Sequence, residues 1–253
     1  SQSANVDLIT QLAMLIRNPY IPDSLMGLTV AYDSQASDGS DQQRKGKMLL
    51  EQAQSIAAAA DVYMATISRL STNVAGGIIH TIKEYDCGEV IVNLEDRTTG
   101  MPKASLGNII DDVLCGTHRE VMAVRCIVPP GTIRRTIIAV PQNAEYEVGF
   151  YKWIEHICRI GEQLDCHLEY HAHHDTLPYI AGYMSNKHPN VRSEYHEMNR
   201  WTQILNLEGS LGKSTMLVLV TARQGFISYQ GIMDNLPMQI HRYFGHTSVM
   251  LLY

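Results

Sequence analysis

The sequence has no run approaching the roughly 20 consecutive apolar residues that a membrane helix needs. Its opening segment also lacks the basic, apolar and small-residue order of a secretory signal. A soluble chain with no membrane insertion of its own is expected. A basic excess is missing too: 20 Lys and Arg stand against 26 Asp and Glu, a formal charge of -6. That balance argues against nucleic acid as a partner. The five cysteines, Cys87, Cys115, Cys126, Cys158 and Cys166, form no C-x-x-C pair, so reduced thiols and a cytoplasmic location are expected. No P-loop, nucleophile elbow or metalloprotease signature occurs, and no acid pair sits at a spacing that dictates a role. The expectation is a protein that is not an enzyme. What is present is core material, with 45% hydrophobic and only 18% charged residues in 253, ample for one large or two ordinary domains.

Apolar periodicity alternates between helix and strand along the chain. Ile9, Leu12, Ala13 and Ile16 recur at helical spacing behind an Asn5 N-cap and stop at Asn18-Pro19. A strand over Leu25 to Tyr32 leads into a polar stretch, Asp33 to Arg44, that reads as a surface loop. A helix with Leu49, Ala53, Ile56 and Ala57 follows, then a strand near Asp61 to Ser68, a helix with Ile78, Ile79 and Ile82, and a strand Glu89 to Asn93. Leu106, Ile109, Ile110, Val113 and Leu114 form the best amphipathic helix, and strand Val121 to Ile127 closes the half.

Val128-Pro129-Pro130-Gly131 cannot continue a strand or start a helix at once, so the boundary is placed there. The order then restarts: strand Ile133 to Val140, a helix from Tyr151 to Leu164, strand Cys166 to His173, a helix near Leu177 to Ser185 and strand Val191 to Glu197. A helix around Trp201 to Leu207, strand Thr215 to Ala222, a helix Leu236 to Phe244 and strand Thr247 to Leu252 complete it. Trp153 and Trp201 read as packing anchors. Val249-Met250 aligns with Val121-Met122, an internal duplication by element order. Apolar strands alternating with helices give the α/β class, two tandem doubly wound parallel-sheet units at 1–128 and 132–253. Only the second opens with a strand, so the first is expected to lack its opening strand and the sequence to be a piece of a longer chain.

Two such units in tandem, with the helix start Leu106-Gly107-Asn108-Ile109-Ile110-Asp111-Asp112-Val113-Leu114, resemble universal stress protein domains, a Rossmann-like fold. The run Ala222-Arg223-Gln224-Gly225-Phe226-Ile227-Ser228-Tyr229, with Leu236-Pro237, Tyr243-Phe244 and Val249 to Tyr253, resembles the tandem domain following the membrane part of bacterial sodium/proton antiporters. That resemblance implies a soluble regulatory or interaction domain on the cytoplasmic face of the bacterial inner membrane, with the transport domain of the same polypeptide as partner. The alternative it leaves is a stand-alone stress protein binding an adenine nucleotide, the one cofactor implied.

ATP-binding members of the resembled family carry a Gly-x2-Gly-x9-Gly-(Ser or Thr) loop, whose backbone N–H groups approach phosphates at a helix start. Here Gly107 matches the last glycine, Asn108 stands for the hydroxyl residue, and Arg97 and Leu94 stand where glycines belong, with Gly100 at another spacing. In the second half the candidates are Arg223, Gly225 and Ser228, and Gln142-Asn143 replaces the acidic residue that follows the first strand. For each group a turn or a helix cap is the first reading and a ligand loop the second.

His167, Glu169, His171 and His173 alternate along one strand, followed by His174 and Asp175. Sheet-edge or interface material is one reading of His167, His171, His173 and His174. A metal site is a second and a pH-sensing cluster a third. The last strands of both halves are apolar sheet edges, so pairing of those edges, within the chain or in a homodimer, is expected.

Overall fold

The computed structural model of the chain describes residues 2–21, 25–32, 39–94 and 105–253. Its first half runs α1 (Gln2–Ile16), β1 (Met26–Tyr32), α2 (Gly39–Ala59), β2 (Ala65–Ser71), α3 (Val74–Glu84), β3 (Glu89–Asn93), α4 (Asn108–Gly116) and β4 (Glu120–Arg125). The second half runs β5 (Arg135–Ala139), α5 (Phe150–Leu164), β6 (His167–Ala172), α6 (Leu177–Lys187) and β7 (Ser193–Glu197), then β8 (Thr215–Val220), α7 (Leu236–Tyr243) and β9 (Ser248–Leu252).

Seven strands form one sheet in the order β3-β4-β9-β8-β5-β6-β7, while β1 and β2 form a separate pair. Every ladder is parallel except β4 with β9, which is antiparallel in the register Met122 to Leu252 and Val124 to Met250. This is an α/β architecture dominated by parallel strands. β8 is buried at all six positions, which is why Thr-Met-Leu-Val-Leu-Val reads as an unbroken apolar run. One face of the large sheet packs Leu168, Tyr170 and Val218 against Ile154 and Ile157 of α5. The other packs Ile137, Leu217 and Leu219 against Trp201, Ile204 and Ile240. Each such side chain contributes about 1.5–3 kcal/mol by leaving water.

The two apolar edges close on each other inside one chain. Val121, Met122, Ala123 and Val124 of β4 and Val249, Met250, Leu251 and Leu252 of β9 are all buried. The intrachain pairing consumes the edges from which a homodimer was expected, so any homodimer must use another surface.

Several boundaries differ from the sequence reading. α1 starts at Gln2, so Asn5 lies inside it instead of capping it. α2 begins at Gly39, and Asp41 and Arg44 pair at 3.4 Å on its first turns instead of lying in a loop. Residues 33–38 of that expected loop lie outside the described residues. β2 starts at Ala65, four residues after the expected start, because Asp61 takes the left-handed conformation (φ 55°) that ends the α2 turn. Trp201–Ser210 is 3₁₀ and not α, so this connection is a tighter and weaker cover for the sheet.

Candidate functional site

In parallel sheets, ligands gather beyond the carboxyl ends of the strands where the strand order reverses. Here that point lies between β5 and β8, which are neighbours although their connections lead to opposite sides. A cleft of about 390 Å³ opens there, lined by Gln142 and Asn143 after β5, Asn199 to Thr202 after β7, and Ile227 to Gln230 and Ile232 after β8. Amide and hydroxyl side chains are the most numerous on its wall, and Arg200 is the one cation there among the described residues. Asn143 holds φ 68°, ψ 11°, a left-handed conformation that asparagine tolerates better than most residues. It lies just beyond the carboxyl end of β5. Trp201 is 4% exposed and its buried indole N–H finds no acceptor among the described residues, a shortfall worth about 1–3 kcal/mol.

Of the sequence candidates, Ser228 reaches this cleft. Its N–H and its hydroxyl both donate to Glu147 Oε1, at 2.8 and 2.7 Å. A carboxylate thus already takes the donors that a phosphate would want. Gly225 does adopt a glycine-favouring φ of 95° but stands outside the cleft lining. Arg223 turns the other way: its guanidinium donates to the carbonyls of Thr117 and, at 2.8 Å, Arg119. It ties the end of β8 to the entry of β4, with burial pushing its pKa down. Gly107 (φ 112°) precedes α4 without a side-chain cap of its own. Three donors just before the helix are used locally: Leu106 N–H donates to Asp111 at 3.0 Å, Gly107 N–H to Ser105 at 3.1 Å, and Ser105 to Asp111 at 2.5 Å. With the Asp111 carboxylate in the first turn and accepting from Leu106 and Ser105, the Gly107-Asn108 site carries a negative charge that opposes an anion. Arg97 and Gly100 lie outside the described residues. Neither half, as described, presents a polyphosphate loop.

The expected histidine face divides into three groups. His167 pairs with Glu194 of β7 at 3.3 Å. His171 stacks on His196, with centroids 4.7 Å apart. His173 and His174 lie beyond the strand end, both 3.2 Å from Asp175. Ligand atoms of Glu169, His171 and His196 lie within 4.8 Å of one another, but both Glu169 oxygens are engaged by Arg135, so a cation there must displace a guanidinium. Burial, then the neighbouring His196, pushes the His171 pKa down. His196, one strand over, was absent from the sequence candidates because nothing in the sequence fixes the β6–β7 register.

A polar cluster missed altogether joins the halves. His156 of α5 is 3% exposed, with Nδ1 3.1 Å from Glu120 Oε1 of β4 and Nε2 3.3 Å from Glu89 Oε1 of β3. Lys152 reaches the same Glu89 oxygen at 3.1 Å. Burial pulls the His156 pKa down, but the two carboxylates outweigh it and leave it raised. The hydrogen bond from His156 lowers Glu89 to about 2.

No family model and no curated protein matches the chain. Solved structures do. A universal stress protein from Archaeoglobus fulgidus DSM 4304 superposes with TM-score 0.61 at 11% identity, covering 99% of this chain and 94% of its own. The fold is that of a universal stress protein. The cytoplasmic domain of a prokaryotic cation chloride cotransporter gives TM-score 0.56 at 10% identity, over 94% of this chain and 87% of its own. A protein of unknown function from Pseudomonas aeruginosa PAO1 gives 0.53 at 15% identity, over 89% and 91%. Among the described residues no helix is long and apolar enough to cross a membrane.

Proposed function

We propose that this chain is a regulatory domain of a sodium/proton antiporter, lying on the cytoplasmic face of the bacterial inner membrane. It carries out no reaction. It binds a small polar molecule in the cleft beyond β5 and β8, and occupancy biases the transport domain of the same polypeptide. The observation that carries the ligand reading is a cleft rich in amide and hydroxyl side chains whose wall includes Trp201, the residue whose buried N–H has no acceptor among the described residues. The shared fold with a cation transporter's cytoplasmic domain supports the transporter reading. Coupling requires the ligand to favour one transporter conformation over another. The test is sodium/proton exchange in everted vesicles carrying the complete antiporter, comparing the natural chain with Trp201→Phe and Asn143→Ala. A shifted pH or sodium dependence in both variants is expected, and unchanged exchange in both contradicts the reading.

A stand-alone stress protein binding an adenine nucleotide is the second reading. It is favoured by the same cleft, at the place where doubly wound sheets take nucleotides. Recovery of the native protein from the soluble fraction, free of any membrane segment, selects it over the first.

A further inference from the structure

Three groups of His, Asp and Glu side chains bring ligand atoms within 4.8 Å of one another: Glu169-His171-His196, His167-Glu169-Glu194 and His173-His174-Asp175. The first two share Glu169, whose carboxylate the Arg135 guanidinium already holds with two donors. The third differs. Among the described residues no Lys or Arg pairs with Asp175, and the cationic partners within its reach are the two imidazoles.

The backbone explains how three consecutive residues come to one side. Along a strand their side chains would alternate between faces. Here β6 ends at Ala172 and the chain turns at once, with the Thr176 and Leu177 N–H groups both donating to the His173 carbonyl at 3.0 Å. Thr176 is fully buried and its hydroxyl donates to Glu145 at 2.8 Å, which anchors the turn. The His173 and His174 ring centroids then stand 4.1 Å apart. His173 Nδ1 lies 3.2 Å from Asp175 Oδ2, and His174 Nε2 lies 3.2 Å from Asp175 Oδ1. Ligand atoms about 2.05 Å from a tetrahedral ion stand about 3.3 Å from one another, so both contacts have the length of a coordination edge.

Two hydrogen bonds prepare the nitrogens for such an ion. His174 Nδ1 is 3.4 Å from Asn199 Oδ1. Donation there leaves the lone pair on Nε2, the nitrogen beside Asp175, as the outer partner of a metal-bound imidazole does. The Asp175 N–H donates to His173 Nδ1 at 3.3 Å, which makes that nitrogen an acceptor too. Two lone-pair nitrogens thus face one carboxylate, an arrangement that repels itself until a cation enters. We propose that His173, His174 and Asp175 bind one divalent transition-metal ion, of the zinc or nickel class, at the carboxyl end of β6. Binding exchanges the long Asp175 N–H bond to His173 for a metal bond. Two imidazoles with one carboxylate favour such borderline ions over magnesium or calcium, which take oxygen ligands. His174 and Asp175 are 57% and 62% exposed at their side chains, so the ion keeps open positions toward solvent. Asn199 also lines the cleft, which sets the site at the cleft's rim. The inference stands independently of the transporter and ligand readings.

Titration of the untagged, metal-stripped chain with Zn2+ against a competing chromophoric chelator tests it. The natural chain is expected to take up one equivalent with roughly micromolar affinity. His174→Ala and Asp175→Ala, at exposed positions where substitution leaves the core untouched, should each weaken binding by at least about tenfold. His171→Ala and His196→Ala should leave it unchanged. No stoichiometric uptake of Zn2+ overturns the proposal, as does a loss smaller than about tenfold in either of the first two variants. Weakened binding in His171→Ala or His196→Ala overturns it in favour of the stacked pair on β6 and β7.

Discussion

His156 on α5 and Glu120 on β4, 36 positions apart in sequence, meet at 3.1 Å and pin the second half of the chain to the first. Glu120 is 11% exposed at its side chain and Glu89 closes the other side of the ring. Removing the imidazole with His156→Ala leaves the Glu120 carboxylate with Lys152 alone, at 3.7 Å, and the expected cost is about 2 kcal/mol in urea unfolding. An unchanged midpoint contradicts the pin.

The same joint gives the protein a pH dependence of definite sign. The folded protein holds the His156 proton more tightly than the ordinary 6.5, through Glu120 and Glu89 against burial, with Lys152 as the nearby opposing cation. Its contribution is therefore complete below pH 6.5 and is lost as pH rises through the raised folded value. Melting temperature should fall over that window in the natural chain and fall less in His156→Ala, where His188, raised against its burial by Glu155 and Glu162, still titrates.

His171 acts in the opposite sense. Burial, His196 and Arg135 disfavour its charged form, against the attraction of Glu169. Below pH 6.5 the unfolded chain takes up a proton that the folded chain resists, so stability declines as pH falls. The His171 ring signal should titrate below 6.5 by NMR, and titration above it contradicts the geometry of the β6–β7 stack.

Arg223 is expected to matter for the joint and not for the ligand. Arg223→Ala removes two charged donors from the Thr117 and Arg119 carbonyls, with an expected loss of about 2 kcal/mol. Ligand affinity of the cleft should be unchanged. A selective loss of affinity would return Arg223 to the cleft.

The alternation of helix and strand was legible because each element carries its own period. Glu89 to Asn93 was placed to the residue, and β8 could be read from its apolar run alone. The start of α2 was hidden, since Asp41, Gln42, Gln43 and Arg44 give its first turns no apolar face. The cleft was partly legible: Ser228 and Gln142-Asn143 stood out as loop residues, whereas Trp201 read as packing. It does pack, in the core beside Ile204 and Leu207. Only its three-dimensional surroundings show that its N–H lacks an acceptor. His156 with Glu89 and Glu120 left no local trace, because such contacts depend on the docking of β4 against β9.

The most direct test of the ligand-binding account is isothermal titration of the chain and of Trp201→Phe with AMP, ATP and a cyclic dinucleotide. The account predicts micromolar, saturable binding of AMP, weaker binding of ATP because Glu147 holds the Ser228 donors, and about tenfold weaker binding by the variant through loss of one hydrogen bond. Absence of saturable binding for all of them, or equal affinity in Trp201→Phe, contradicts it.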